Sequence, residues 1–244
     1  MSIKTSICGI EMDSCIMNAS GCLCTTKEEL DNLQNSSSGA IVSKSGTIYS
    51  RIGNPNPRLH VDNFGSINAM GLPNLGYEFY MDYGKNTTKP YIQSIHPFSI
   101  NDLDIMLKDL DSIQTKRLIE INITCPNLVS GGNDNSFESF EKYMDRIKQH
   151  KLNHIVCGLK LSPFYELNHF DIMTNLLLKY DVNFISCINS IPNGLIIDPE
   201  NETTQIFPKN GLGGIGGNFI KPTALANVYN FSKRLNGQID IIGC

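Results

Sequence analysis

Strand-like and helix-like segments alternate along this 244-residue chain, and the alternation restricts the fold more than any other feature. Short apolar runs rich in β-branched residues indicate strands, whereas apolar residues spaced three or four apart indicate amphipathic helices. The predicted strands lie near residues 16–19, 40–45, 91–95, 118–124, 155–161, 183–189 and 239–243. The predicted helices are 26–34, 100–113, 137–150, 166–180 and 222–235.

This order of elements favours a parallel sheet covered by helices. Seven strands predict an α/β fold, a (β/α)8 TIM barrel with about seven of its eight strands present and the C-terminal βα portion missing. A doubly wound sheet stays open on the alternation alone. Nothing in the sequence indicates a second domain, so we predict one domain over residues 1–244. Thr25 and Glu28 have capping-box spacing and predict the start of the first helix.

Composition argues against several classes of protein. The net charge of −4 and the pI of about 5.7 come without a basic stripe, so no nucleic-acid partner is predicted. No apolar run approaches ~20 residues, so no membrane partner is predicted either. Eight cysteines without a secretory signal indicate reduced thiols in a cytoplasmic protein. The pair Cys22 and Cys24 lacks a second pair at zinc spacing, so no metal site is predicted.

Two connections are too long for simple strand-to-helix loops. They run over residues 46–89 and 190–221, and each follows a predicted strand. Long ordered connections in a compact domain are commonly lids or binding loops. Within the second, residues 194–198 and 204–207 have the pattern of a hairpin. We therefore expect both connections on the face where the strands end.

Polar side chains gather at those strand ends. Candidate residues there are Asn18, Ala19, Ser20, Gly21, Lys44, Ser45, Ser94, Asn122, Cys125, Asn127, Lys160, Asn189 and Ser190, together with residues 68–74. This face is rich in amides and has almost no carboxylate or histidine. Amides suit a planar heterocycle whose edges carry donors and acceptors, and the two lysines could stabilise developing negative charge. The alternative for each lysine is a solvated position on the rim.

Cys125 directly follows the strand over 118–124 and precedes Pro126. A thiol at this position is a candidate reactive group, because α/β barrel enzymes hold their chemistry at the carboxyl ends of strands. The alternative is a small buried hydrophobic residue, the common role of a lone cysteine.

Residues 211–217 form a glycine cluster that contains a G-x-G-x-x-G match. Four residues separate it from the next helix, and no acidic residue follows at the offset of a dinucleotide-binding unit. We expect instead a flexible loop whose backbone approaches a flat cofactor or a phosphate closely.

Several motifs, taken in order, resemble the dihydroorotate dehydrogenases, in particular their soluble, fumarate-linked class (class 1A). The matching segments are 17–21 (MNASG), 43–45 (SKS), 53–58 (GNPNPR), 65–74 (GSINAMGLPN), 122–127 (NITCPN), 158–161 (GLKL), 189–190 (NS), 209–217 (KNGLGGIGG) and 220–227 (IKPTALAN). The similarity covers nearly the whole chain, and M-G-L-P-N followed by C-P-N is its most specific part.

The resemblance implies an FMN-binding barrel that oxidises dihydroorotate to orotate in pyrimidine biosynthesis, with fumarate as electron acceptor, as a cytoplasmic homodimer. It implies that Cys125 is the catalytic base that removes a proton from substrate C5, while the C6 hydride passes to the flavin. The substrate-binding positions it implies are Lys44, Asn68, Met70, Gly71, Leu72, Asn122, Asn127, Asn189 and Ser190. The FMN-binding positions it implies are Ala19, Ser20, Lys44, Ser45, Asn122, Lys160 and Gly217.

The chain departs from the family pattern at three places. Ala69 and Thr124 stand where the family usually has serine, and the segment 128–133 lacks the usual proline and lysine. The chain also stops at Cys244, where the family continues with a phosphate-binding turn, a helix and the eighth strand. We therefore expect a fragment of a longer chain, or an inactive truncated product, that binds FMN poorly and leaves its first and last strands as unpaired edges.

Three other interpretations compete with this one. A flavin-dependent tRNA dihydrouridine synthase would need a basic surface. A dihydropyrimidine dehydrogenase-like module usually has histidine where Asn127 stands, and it needs iron–sulfur cysteines elsewhere in its chain. A barrel without catalytic activity that acts only as a binding partner is the alternative from a different class.

Overall fold

The computed structural model describes residues 3–63, 65–123 and 136–244. The predicted residues Cys125 and Asn127 lie outside these ranges, as do Thr124 and the segment 128–133. Within the ranges the strands are β1 (Thr5–Ile7), β2 (Ile10–Met12), β3 (Ile41–Val42), β4 (Leu59–Val61), β5 (Ser66–Asn68), β6 (Tyr91–Ile95), β7 (Arg117–Ile121), β8 (Ile155–Leu161), β9 (Phe184–Cys187), β10 (Ile191–Leu195), β11 (Ile197–Asp198), β12 (Thr203–Thr204), β13 (Leu212–Gly216) and β14 (Asp240–Gly243). The helices are α1 (Lys27–Gln34), α2 (Tyr77–Gly84), α3 (Ile100–Asp111), α4 (Phe137–Gln149), α5 (Leu167–Lys179) and α6 (Lys221–Leu235).

The main sheet is parallel and has the strand order β14-β9-β8-β7-β6-β3. All six helices pack on its outer face, against outward side chains such as Ile41, Ile119 and Ile185. The inner face is filled differently: Val42, Leu118 and other inward residues contact the β1–β2 hairpin, with no helix in that cluster. A doubly wound sheet would carry helices on both faces. The predicted α/β fold, an incomplete TIM barrel, is therefore confirmed, and the doubly wound alternative is wrong.

The first predicted strand, at 16–19, is not a strand. The Asn18 side chain accepts a hydrogen bond from the Val42 N–H (2.9 Å) and donates one to the Val42 carbonyl (2.7 Å). Beside it, the Gly39 N–H donates to the Ile16 carbonyl at 2.9 Å. Because a side chain takes the place of a backbone partner, the segment lies next to β3 without forming a ladder. Six parallel strands, rather than seven, are described.

Strand and helix positions otherwise follow the periodicity closely. Strands β6 and β8 have the predicted bounds, and the other predicted strands are shorter by one to four residues. Helix α1 is capped by Thr26 rather than Thr25, because the Thr26 hydroxyl accepts from the Glu29 N–H and the Glu29 carboxylate accepts from the Thr26 N–H. The capping box has the predicted spacing, shifted by one residue.

The first long connection contains a helix that the sequence did not predict. Helix α2 buries Tyr77 and Tyr80. Tyr80 packs with Leu30 and Ile41, and its hydroxyl donates to the Thr25 carbonyl at 2.9 Å. Its aromatic residues follow too short a pattern for the helical period to stand out.

The two long connections pair with each other to form an antiparallel sheet in the order β10-β13-β5-β4. The glycine cluster is strand β13 in this sheet, so the predicted flexible loop is wrong. The predicted hairpin is present as the pairing of β11 with β12. Gly194 and Leu195, which were predicted in the same hairpin, pair instead with Gly213 and Leu212. A glycine-rich segment can form a strand where a second backbone comes close to it. The glycine pattern in the sequence does not distinguish such a strand from a loop.

Candidate active site

Strand β7 shows how the inner face is built. Side chains alternate between the two faces of a strand, so Ile119 and Ile121 join the core beneath the helices. Leu118 joins the inner apolar cluster that includes the β1–β2 hairpin. Glu120 and Asn122 follow it on the same side. Asn122 is therefore placed at the carboxyl end of the sheet, facing inward.

A cavity of about 320 Å³ opens at this end of the sheet. It is lined by Ala19, Ser20, Gly21, Cys22, Lys44, Ser45, Leu59, Ser66, Asn68, Met70, Gly71, Leu72, Asn122, Lys160, Asn189, Ser190 and Gly216. The resemblance implies thirteen substrate- and FMN-binding positions within the described ranges, and twelve of them are in this lining. Gly217 is the exception, one residue beyond Gly216. Leu59, Ser66 and Cys22 line the cavity without having been given a role from the sequence.

Hydrogen bonds connect the lining residues across the strand ends. The Asn122 amide nitrogen donates to the Ser45 hydroxyl at 3.2 Å, and the Asn122 amide oxygen accepts from the Asn189 side chain at 3.2 Å. The Ser20 and Ser45 hydroxyls lie 3.2 Å apart. The Lys160 ammonium donates to the Ser20 carbonyl at 3.1 Å. These contacts hold residues from five separate parts of the chain in one arrangement.

The antiparallel sheet brings Asn68 to the cavity. Its amide nitrogen donates to the Gly214 carbonyl at 3.2 Å, and the two residues are opposed in the β5–β13 register. A Cβ on Gly213 would lie 2.6 Å from the Asn68 carbonyl oxygen, so only glycine permits this approach. The glycine cluster thus serves the site by letting two strands pack closely.

The segment 70–72 turns sharply beside Asn68. Gly71 and Leu72 have φ values of 72° and 56°. A Cβ on Gly71 would lie 2.5 Å from the Asn54 side chain. The buried Asn74 side chain donates to the Thr47 hydroxyl and to the Leu72 carbonyl, both at 2.9 Å. Asn74 therefore fastens the turn to the chain that follows β3.

Lys44 and Lys160 are each only 7% exposed, so neither is a solvated residue of the rim. Both lie close enough to the Cys24 thiol to favour its thiolate, but burial dominates and raises the Cys24 pKa. Cys24 therefore stays protonated at neutral pH in spite of the two lysines.

The described part of the cavity lining has no carboxylate or histidine, but one of each is buried close to Asn122. Glu120 is 3% exposed and His96 fully buried. The His96 Nδ1–H donates to the Asn122 carbonyl at 2.5 Å, since a carbonyl can only accept. Burial lowers the His96 pKa to about 4. The alternation of Leu118, Glu120 and Asn122 was the signal that would have placed Glu120 inward.

The described ranges lack a metal cluster and a membrane-spanning helix. No group of three or more His, Cys, Asp or Glu residues there could hold a metal ion. Among the same residues, no helix combines the length and apolar character needed to cross a membrane.

Comparisons with known proteins identify the family of this chain. A family profile described as dihydroorotate dehydrogenase matches residues 2–244. A protein of Streptococcus agalactiae serotype Ia named dihydroorotate dehydrogenase A (fumarate) is 44% identical over 249 residues, which cover 100% of this chain and 79% of the relative. A Streptococcus pneumoniae serotype 4 protein of the same name is 43% identical over 250 residues with the same coverage. The chain belongs to the dihydroorotate dehydrogenase family.

A solved dihydroorotate dehydrogenase supports the fold. The crystal structure of the enzyme from Eimeria tenella in complex with ferulenol superimposes with a TM-score of 0.71 at 14% identity. The superposition covers 98% of this chain and 72% of the Eimeria tenella chain. At this identity the similarity concerns the fold alone, and it agrees with the parallel half-barrel.

The family consists of oxidoreductases that are generally flavin-dependent, and the lining residues fit a flavin ring. Lys160 and Asn122 would supply donors for the carbonyl-bearing edge of such a ring. Gly217 packs closely against the chain at Gly65, since a Cβ on Gly217 would lie 2.7 Å from the Gly65 Cα.

Proposed function

We propose that this member of the dihydroorotate dehydrogenase family oxidises dihydroorotate to orotate in pyrimidine biosynthesis. The observation that carries the proposal is the convergence of Lys44, Asn68, Asn122 and Asn189 on one cavity at the strand ends. Family membership alone would not supply a site, because a barrel fold hosts many chemistries.

The cavity suits an acidic pyrimidine. Dihydroorotate has two ring carbonyls, two ring N–H groups and a carboxylate, so it needs donors and acceptors at fixed positions. The amides of Asn68, Asn122 and Asn189 supply both, and their orientations are held by the contacts described above. Lys44 is a buried cation that can pair with the carboxylate. Asn127, Met70, Gly71, Leu72 and Ser190 complete the proposed substrate-binding set.

Cys125 is the proposed general base, and it comes three residues after Asn122 in the chain. Its thiolate would take the proton from C5 of the substrate. A thiolate is favoured by nearby cations, and Lys44 and Lys160 line the cavity into which β7 leads. The alternative is that Cys125 is a buried thiol with no catalytic role. In that case, replacing Cys125 would have no effect on the reaction.

FMN is the proposed cofactor, held by Ala19, Ser20, Lys44, Ser45, Asn122, Lys160 and Gly217 in one barrel domain over residues 1–244. When bound, the flavin would accept the hydride from substrate C6. Lys160 and Asn122 would orient the ring edge, and the buried lining would limit access of water. Fumarate is the proposed electron acceptor, entering the same cavity after orotate leaves.

A cytoplasmic homodimer is the proposed assembly. Its support is a set of exposed apolar side chains in and beside the antiparallel sheet, namely Leu59, Val61, Leu195, Ile197, Phe207 and Leu212. Exposed apolar side chains that form a contiguous patch mark protein–protein contacts. Sedimentation of the chain and of a Val61→Asp variant should separate dimer from monomer.

The function is tested by following orotate formation from dihydroorotate with fumarate and excess FMN. Wild type should form orotate, and Cys125→Ala should not. Cys15→Ala is a matched control, because Cys15 is an exposed thiol outside the cavity lining. A barrel that only binds a partner would form no orotate in any of the three.

A further inference from the structure

Glu120 is a carboxylate in the interior of the half-barrel to which neither the sequence nor the proposed reaction assigns a role. It lies on the inner face of β7, between Leu118 and Asn122. One carboxylate oxygen accepts from the Ser94 hydroxyl at 2.9 Å, and the other accepts from the Ser186 hydroxyl at 2.7 Å. Moving a carboxylate out of water is costly. A purely structural position here could be filled by an apolar residue.

The Glu120 carboxylate determines which hydroxyl donates in the neighbouring hydrogen bonds. A serine hydroxyl has one proton to donate, and a carboxylate has none. Ser94 gives its proton to Glu120, so in the 2.9 Å contact between Ser45 and Ser94 the donor must be Ser45. The Ser45 proton is then committed as well. Its oxygen can only accept from Ser20 and from Asn122.

The same argument fixes the Asn122 amide. Its nitrogen faces Ser45, and its oxygen faces the Asn189 nitrogen. If the amide were turned over, its oxygen would face a Ser45 oxygen whose proton is committed, and its nitrogen would face another nitrogen donor. Asn189 is held in turn, because its amide oxygen accepts from the Ser190 N–H at 2.9 Å. The acceptor at Glu120 therefore fixes the direction of the contacts through Ser94 and Ser45, and the Ser190 N–H fixes the other end at Asn189.

We propose that Glu120 is a positioning residue for the cavity. Through the relay from Asn122 to Ser45, Ser94 and finally Glu120, it keeps the Ser45 oxygen an acceptor and so holds the Asn122 amide in one orientation toward an acidic pyrimidine. Asn122 in turn accepts from Asn189, which the Ser190 N–H holds from the other side. The identity of that ligand rests on the proposed function, whereas the relay itself does not.

Two substitutions remove the direction of the relay in different ways. Glu120→Leu takes away the acceptor, so Ser94 and Ser45 can exchange donor and acceptor roles. Ser94→Ala interrupts the relay next to the carboxylate. The matched control is Ser186→Ala, which deletes the other hydrogen bond to the same carboxylate and lies off the relay.

The first measurement is the ¹⁵N–¹H spectrum of the Asn122 and Asn189 side-chain amides in the ligand-free full chain. Their signals are assigned by their loss in Asn122→Ala and Asn189→Ala. Wild type and Ser186→Ala should give one set of signals for each amide. Glu120→Leu and Ser94→Ala should give shifted or doubled sets. A residue that only stabilised the fold would lower the unfolding temperature without this selective change.

The second measurement is orotate binding by calorimetry on the same proteins. Glu120→Leu and Ser94→Ala should weaken binding about tenfold, with Ser186→Ala within about twofold of wild type. Unchanged amide signals in Glu120→Leu and Ser94→Ala, or an equal disturbance in Ser186→Ala, would overturn the relay. If wild type did not bind orotate, the proposed function would fail at this cavity, and the amide spectra would still decide the role of Glu120.

Discussion

The Asn18 side chain pairs with the backbone of Val42 through both its amide atoms, accepting at 2.9 Å and donating at 2.7 Å. This pair takes the place of a ladder between the segment 16–19 and β3. Val42 itself is buried in the inner apolar cluster. One polar side chain thus holds the segment that supplies Ala19 and Ser20 to the cavity.

Replacing Asn18 by alanine should therefore destabilise the chain. The Val42 N–H and carbonyl would lose their partner, which costs about 1–3 kcal/mol for a buried group left unpaired. Urea unfolding should show this loss. Asn153→Ala, at an exposed position, should change stability by less than about 0.5 kcal/mol. Equal unfolding midpoints for Asn18→Ala and wild type would mean that the pair contributes nothing.

Helix α1 offers a test of the cap that the structure assigns. Thr26→Ala should cost about 1 kcal/mol, because its hydroxyl accepts from the Glu29 N–H at 3.2 Å. Thr25→Ala is the matched control, since only backbone atoms of Thr25 make the hydrogen bonds described. Chemical unfolding of both variants checks this. A larger loss in Thr25→Ala would favour the cap predicted from the sequence.

The shift between these two threonines shows where sequence reasoning stops. Thr25 with Glu28 and Thr26 with Glu29 both satisfy the capping pattern, and only the hydrogen bonds choose between them. The period of apolar residues predicted most strands and helices, because burial on one face imposes it. The period did not predict α2, and it did not predict that the Asn18 side chain would replace a strand ladder beside β3. Both features depend on contacts with distant parts of the chain.

The cavity was predicted better than the connections around it. Residues at strand ends must meet in a parallel sheet, and twelve predicted residues do. The glycine strand β13 and the inward Glu120 were missed for a physical reason. The glycines form a strand because they pair with Asn68 and its neighbours, which are far away in the sequence. Glu120 is accommodated because it accepts a hydrogen bond from Ser186, which is also far away in the sequence.

His96 should make stability depend on pH. Burial lowers its pKa to about 4, against about 6.5 in an unfolded chain. Between these values the unfolded state binds more protons, so stability falls as the pH drops from about 6.5 to about 4, by roughly 3 kcal/mol. Unfolding at a series of pH values checks this. His96→Asn keeps an N–H donor for the Asn122 carbonyl but does not titrate, so its curve should be flatter. Parallel curves for the two proteins would contradict the assignment.

Lys44 should decide binding of the substrate acid. Lys44→Met removes a buried cation, and hydrogen bonds to charged groups contribute about 1.5–3 kcal/mol. Orotate affinity measured by calorimetry should fall about 10- to 100-fold. Lys27→Met, on the exposed face of α1, should leave the affinity unchanged. Equal affinities in both variants would remove Lys44 from the substrate site.

The most direct test of the account is the rate at which the hydrogen at C5 of dihydroorotate is removed. It is measured as the release of deuterium from substrate deuterated at C5, with excess FMN and fumarate. Wild type and Cys15→Ala should release deuterium together with orotate formation. Cys125→Ala should be slower by about 10²–10⁴-fold, the typical contribution of a general base. Release from Cys125→Ala at the wild-type rate, or no orotate from wild type, would contradict the account.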